Sequence, residues 1–526
     1  MPAVVTDQFR IANAGNFVDS VLDSSNSYYV FLGLPNPDGR IGFGRTTSWP
    51  SNPIDNQQFL THYRDTSLFG KRLNSSNIRR VVKKHNWVSN NRYDMYRHDY
   101  SESNKAPNSN TGSLYKTNYY VLTSEFKVYI CLDNGGSGVS GTADSKGVES
   151  LDEPTFTDLE PAAAGTQDPY LWKYLFTISP SDVIKFDSTE YIVLPNDWGT
   201  STDAQIQAVR EAGDSDINSN QIRKVYIEDG GQGYLSGGNG TRECDILGDG
   251  TGAKVLITFT GGVITDAIVS AGGSGYTFGM VNLQDFQDAT LANPAKLIPI
   301  IPPAKGHGSD IYTELGADKV LVYSRFDDST KDFPTDTHFG QVGILKNPQK
   351  AGATGIATVS QFSSLFAVKL QNPLSASTDF NALIGVGIAQ TVTGGTARGT
   401  VASYDKDTQV LKYIQDRDLN LNQDTFDNTD YNGVSGRAKV LSFENNGQPI
   451  INVPGGSVSI NSSIENFTGI TTTIGNKQVN LGVQFTNGLA VPEINKKTGD
   501  VIYIDNRKKV ERNIRQKEDV KIILEF

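Results

Sequence analysis

Cysteine is almost missing from this chain: 526 residues hold two, Cys131 and Cys244. They lie far apart, with no CxxC pair and no Cys/His ligand spacing, so neither a disulfide framework nor a zinc site is predicted. Folding is expected to rest on packing alone. Methionine (three) and histidine (five) are equally sparse. His62, His85, His98, His307 and His338 form no HExxH and adjoin no nucleophile motif. Long apolar runs are lacking too, since none approaches the roughly 18 residues of a membrane span. Positive charge is in deficit, 47 Lys and Arg against 58 Asp and Glu, for a net −11. That balance argues against a general grip on nucleic acid. The N-terminal MPAVVTDQFRIANAG lacks the basic-then-apolar order of a secretory signal, so use without signal-peptide export is expected.

What the chain has in plenty is glycine, 52 residues, among Asn, Ser, Thr and Asp. Glycine-rich turns between short apolar alternations predict a mainly β protein with a few helices, an α+β class. The length exceeds one hydrophobic core, so about two to four domains are expected. Dense stretches alternate with light, Gly-rich ones. The expected organisation is a core segment at 1–217 and a Gly-rich β insertion at 218–283, then a core segment at 284–350. A small β barrel or sandwich follows at 351–445, and a core-closing segment at 446–526. The predicted architecture is β-sandwich- or barrel-like domains nested by insertion into a discontinuous core.

One stretch organises the rest: DPYLWKYLFTISPSDVIKFDSTEYIVLPNDW, Asp168 to Trp198. Tyr170, Trp172, Tyr174 and Phe176 fall on one face of a predicted strand, with Leu171, Lys173 and Leu175 on the other. Ser179 before Pro180 suits an N-cap with proline at the first helical position. A short turn through Val183 and Ile184 leads to a second strand, Tyr191 to Leu194, in a hairpin-like unit. Four aromatics together are too much for an exposed surface and predict core.

Along the chain, residues 6–23 read as a helix with Phe9, Ile11, Phe17, Val18, Val21 and Leu22 on one side. Ser27 to Leu34 reads as a buried strand. Leu68, Leu73, Ile78, Val81 and Val82 are expected to line one or two helices ending before Trp87. Arg79, Arg80, Lys83, Lys84 and His85 would then complement a helix C-terminus. Asn118 to Leu132 reads as two strands separated near Ser124, and Gly135 to Gly147 as a surface loop. GGQGY at Gly230 recurs as GGSGY at Gly272, around strands that meet at Gly261-Gly262, which predicts a repeated small β module. Strands follow those glycines, where a phosphate loop needs a helix. Val320–Phe326, Phe339–Leu345, Thr393–Gln415 and Asn432–Phe443 read as strands. In the closing DVKIILEF, Val520, Ile522, Leu524 and Phe526 alternate as a terminal strand.

Chemistry-bearing patterns are few. His98-Asp99 are adjacent, and neighbours on a strand point to opposite faces. Asp327, Asp328 and Asp332 flank a loop without the pattern of a calcium loop of about twelve residues. No catalytic, cofactor or metal residues are predicted. The candidates are instead core or interface side chains: Trp87, Tyr170, Trp172, Tyr174, Phe176, Tyr191, Ile522 and Leu524.

Several blocks, in one order, carry a resemblance: Phe9-Arg10; the basic stretch ending in Trp87; RYDMYRHDY from Arg92 to Tyr100; VYICLDN from Val128 to Asn134; DPYLWKYLFTISP with EYIVLP; FGQVGILKNP from Phe339 to Pro348; and GDVIYIDNR…QKEDVKIILEF. Over about half its length the chain resembles the baseplate wedge subunit of T-even-type bacteriophages, the gene product eight family. The two Gly-rich insertions fall outside the match and make this chain longer. The resemblance implies a non-enzymatic, cofactor-free structural subunit in the virion's contractile-tail baseplate, assembled in the host cytoplasm. It also implies a homodimer joined to other wedge proteins, holding them in register as the baseplate changes shape at infection. A second expectation is a tail-associated receptor- or glycan-binding protein that exposes Tyr234 and Tyr276 beside flexible glycines. A third, an envelope hydrolase, lacks paired carboxylates or a metal triad.

Overall fold

A computed structural model of the chain describes residues 4–34, 52–136, 145–214, 221–289, 291, 293–327, 337–375, 377–415, 441–461, 471–474, 477–480, 485–512 and 516–526. It is mainly β, 41% strand against 13% helix, in several sheets, the α+β class that the composition predicts. Two compact units form, each from separated pieces of chain. The first comprises 1–18, 78–321 and 522–526; the second, 19–77 and 322–521.

In the first unit a three-stranded antiparallel sheet sets Lys127–Asp133 between Tyr120–Leu122 and Leu171–Thr177. Trp172 to Phe176 are buried at every position, so both faces of the last strand are covered. Its register slips by one residue between Tyr174 and Phe176, opposite Tyr129 and Val128. Such a bulge re-aims side chains and adds twist. Tyr170 stacks on Trp172 at 5.3 Å between ring centroids, and Tyr93 meets the edges of both.

Ser179 caps the helix Pro180–Phe186, accepting from the Asp182 amide, with Pro180 at its start. That helix leads the chain away, and the hairpin-like reading is corrected here. Tyr191–Val193 pairs with Ile78–Lys83 in a different sheet, not with Leu171–Thr177. The last strand, Glu518–Glu525, belongs to that same sheet. As its alternation predicts, Ile522 is buried and Leu524 half-buried, while Phe526 packs on Phe17 at 5.5 Å.

The helices expected between Leu68 and Trp87 do not form. Ser67–Arg72 and Ile78–Lys83 are strands, joined by a turn in which the Asn74 side chain accepts from the Ser76 amide. The apolar spacing there is five, five and three residues, which no helical face repeats, and β-branched Val81-Val82 fits a pleat. The basic run therefore does not end a helix of its own. Arg79 pairs with Asp182 at 2.8 Å, Arg80 lies 3.8 Å over the Tyr312 ring, and Lys84 stands 3.6 Å from Asp187. The N-terminal helix, Asp7–Leu22, buries Ile11, Ala14, Val18 and Val21, but Phe9 and Leu22 are exposed. Phe9 falls off the stripe set by Ile11, Ala14 and Val18, whereas Leu22 lies on it but is the last residue of the helix.

The Gly-rich module of the first unit is a four-stranded antiparallel sheet. Its order is Val263–Ser274, Thr251–Thr260, Gly240–Gly248, Gly279–Val281. Gly261 and Gly262, both at positive φ, make the two-residue turn that matches strand twist. A two-stranded piece, Val225–Asp229 with Lys296–Pro299, packs with it. Tyr234 and Tyr276, expected on the surface, are buried in the module's core. Tyr276 donates to the Ile246 carbonyl and accepts from the Ala253 amide, and the Ala295 amide donates to Tyr234.

In the second unit a five-stranded antiparallel sheet runs Gln361–Ser363, Ser67–Arg72, Tyr28–Gly33, His338–Lys346, Asp500–Glu511. Tyr28–Gly33 is buried throughout, as a central strand covered on both faces. A Cβ on Gly343 would stand 2.5 Å from the Phe31 ring and 2.7 Å from the Tyr503 carbonyl oxygen, so only glycine fits. A six-stranded sheet includes Gly395–Asp405 and Val410–Gln415, the strands expected from Thr393–Gln415. Most of the Asn432–Phe443 reading, the centre of the Gly135–Gly147 loop, and Asp328 and Asp332 lie outside the described residues.

Trp172 has no exposed surface and contacts rings on two sides. Trp172→Ala is expected to lower stability by about 3–5 kcal/mol, read from the urea unfolding midpoint. A variant that unfolds like the parent would remove this strand from the core.

Candidate functional site

The residues with chemical potential gather in the first unit, around the RYDMYRHDY segment. Tyr93 to Arg97 are buried, and the segment is irregular, so its backbone and side chains need partners other than a ladder. Asp94, fully buried, accepts from the amides of Asn108 (2.9 Å) and Ser109 (3.0 Å) and from the Ser109 hydroxyl. Three donors on one carboxylate compensate its loss of water. Arg97 donates twice to Asp99, at 2.9 and 2.7 Å, and its guanidinium lies 4.0 Å over the Tyr226 ring. The adjacent His98 accepts at Nδ1 from the Ile301 amide. His98 and Asp99 thus serve different partners and form no base–orienter pair.

Sequence reasoning missed the most concentrated group. His307 Nδ1 lies 2.5 Å from Glu314 Oε1, and Glu314 Oε2 accepts from the Gly308 amide at 2.7 Å. Both side chains are almost wholly buried. Glu314 sits on one helical turn, Ile311–Leu315, capped by Asp310 and ended by Gly316 in the left-handed region. Tyr96 meets the His307 ring edge-on at 4.7 Å, and the Tyr119 hydroxyl donates to the Glu314 carbonyl. Burial pushes the phenols of Tyr96 and Tyr119 up, reinforced by the charge on Glu314. Lys173, from the aromatic strand, is also fully buried, donating to the Leu159 carbonyl. Burial holds its ammonium down to about 8, and Glu314 and Glu160 only partly offset that. The one local signal was the Asp310 cap before IYTEL; nothing in the spacing announced a buried acid facing His307.

The sequence-predicted residues divide by place. Tyr170, Trp172, Tyr174 and Phe176 are buried with the Lys127–Asp133 strand; Tyr129 meets Tyr174 at 5.7 Å, and Phe176 meets Trp198 at 6.1 Å. Trp87 is half-buried and donates from Nε1 to Ser150 Oγ at 3.1 Å. Tyr191 is half-buried opposite Lys83, in the other sheet with Ile522 and Leu524. An open cleft of about 630 Å³ runs along Val269–Ser274, with Pro161, Leu171 and Arg223 on its walls. None of His307, Glu314, Lys173 or Asp94 lines it. Among the described residues no group of three His, Cys, Asp or Glu is arranged to hold a metal ion. Chemically, the arrangement clamps: Asp94, His307, Glu314 and Lys173 are buried and engaged by one another or by hydrogen-bond partners nearby. Comparison with protein families and with curated proteins finds no match to this chain.

Two predictions follow from these burials. Glu314→Ala removes the partner of His307 and of the Gly308 amide, a loss of about 3–5 kcal/mol for a broken buried pair. Glu314→Gln, which keeps the acceptor, is expected to lose clearly less by the same urea titration. His85 packs edge-on against Tyr120, and burial, reinforced by Lys83, lowers its pKa to about 4. A histidine held neutral gives stability that is complete above its unfolded pKa of about 6.5. That stability drains as pH falls toward 4, because only the unfolded state gains the proton readily. His85→Phe should flatten this part of the stability profile between pH 7 and 4. A profile unchanged by the substitution would contradict the assignment.

Proposed function

We propose that the chain is a structural subunit of a contractile phage tail baseplate wedge, where it dimerises and holds neighbouring wedge proteins in register. One observation supports this above others: the titratable groups of the first unit's centre are buried and used to brace the fold. An acid and base meant to turn over substrate need an opening to it, whereas a scaffold needs a centre that does not deform. The collinear resemblance in the dense segments points the same way, because its blocks include the braced segment Arg92–Tyr100 and the aromatic strand. Register between partners would be held by large interfaces and changed by bistable contacts.

The glycan-binding reading is weaker on one particular. Tyr234 and Tyr276 are buried with their hydroxyls engaged, so they offer no stacking platform.

The purified chain is expected to run as a dimer at micromolar concentration in size-exclusion chromatography with light scattering. A strictly monomeric species would count heavily against the proposal. In electron cryomicroscopy of the particle, pairs of this chain should ring the tail tip with six-fold symmetry.

A further inference from the structure

The outward face of the Gly-rich sheet breaks the usual alternation. Antiparallel sheets of this kind turn one face to the core and one, polar, to water. The inward face here is ordinary: Cys244, Ile246, Ala253, Val255, Ile257 and Phe259 are buried. Outward stand Ile268 (57% exposed), Leu256 (37%), Leu247 (49%) and Met280 (64%), with Phe278 (61%) beside Met280. The strand register groups them. Leu256 is opposite Ile268 on one side and Glu243 on the other, and Leu247 is opposite Met280. The result is two apolar anchors, separated by roughly 13 Å along the strands at the usual rise. Single exposed apolar residues are ordinary, but grouped ones on one face mark contact surfaces.

Charge decides what the face can meet. Between the anchors lie Glu243, Asp245 and Lys254, and that lysine is shared by both carboxylates at 3.3 and 3.7 Å. From Val225 to Ala295 carboxylates outnumber basic side chains eight to two, more than half of the chain's net charge of −11. Nucleic acid and anionic membrane are repelled by such a surface, which leaves a cationic protein as its complement.

We propose that this face docks a basic segment of another protein, whose apolar side chains fill the two anchors and whose cations meet Glu243 and Asp245. The proposal rests on the reading of the chain as an assembly subunit and names the chemistry of one neighbour. Apolar contacts hold the segment, and the acidic surround steers it and sets its orientation.

The test uses the full chain and a labelled twelve-residue peptide of alternating leucine and lysine, followed by fluorescence anisotropy. A serine–lysine peptide reports charge alone, and a leucine–serine peptide reports apolar contact alone. The leucine–lysine peptide is expected to bind best, and to weaken with salt as exposed charges are screened. Both Leu247→Ser/Met280→Ser and Glu243→Gln/Asp245→Asn should weaken it at least about tenfold, with melting unchanged because these side chains are exposed. Val491→Ser, an exposed apolar change in the second unit, should have no effect. The proposal is overturned if the serine–lysine peptide binds as tightly, or if both double variants bind like the parent. It is equally overturned if the apolar double variant alters the oligomeric state, since the occupant would then be a second copy. Dimerisation is measured without peptide, so loss of the subunit reading and loss of the docking face are separable results.

Discussion

A carboxylate taken out of water must be met by donors, and Glu314 imposes that condition on the whole first unit. Its two oxygens are held by His307 and by the Gly308 amide, and its backbone carbonyl by Tyr119. His307 and Gly308 belong to the same turn as Glu314, while Tyr119 comes from far earlier in the chain and Tyr96 packs edge-on against the His307 ring, so that turn is fixed to two remote stretches. The aromatic strand supplies the next requirement, since Lys173 is buried and its ammonium donates to the Leu159 carbonyl. Removing the donors of the Glu314 carboxylate or the acceptor of the Lys173 ammonium would leave a buried polar group without a partner, which is costly.

The Gly-rich module solves a different problem. Its inward face is a normal core, and its tyrosines are turned inward by backbone partners on neighbouring strands. Glycines at 261 and 262 close the hairpin tightly. Its outward face carries the apolar anchors together with Glu243 and Asp245.

Legibility in the sequence followed the range of the interaction that decides each element. Ser179-Pro180 set a helix start through contacts within three residues, and the alternation of Val520, Ile522, Leu524 and Phe526 set a strand through its own period. Both are present as read. Ser67–Arg72 and Ile78–Lys83 were misjudged as helix because their apolar residues could be threaded loosely onto one face. Pairing with Tyr28–Gly33 and with Tyr191–Val193 overrides that weak local preference. The hairpin-like pairing around Pro180 failed for the same reason: the partner of Leu171–Thr177 lies about forty residues earlier, in Lys127–Asp133.

Asp168–Trp198 shows where the division falls. Composition and spacing by themselves determined the mainly β class, the aromatic strand, the capped helix after it and the burial of Tyr170, Trp172, Tyr174 and Phe176. Those properties depend on side-chain volume and on a period of two, which any partner would have to respect. Only the tertiary structure decided which strand pairs with it, that Lys173 is buried with the Leu159 carbonyl as its acceptor, and that Tyr234 and Tyr276 turn inward. Each of those outcomes turns on satisfying a polar group with a donor or acceptor remote in sequence. Such a partner is named by the folded backbone and by no local pattern.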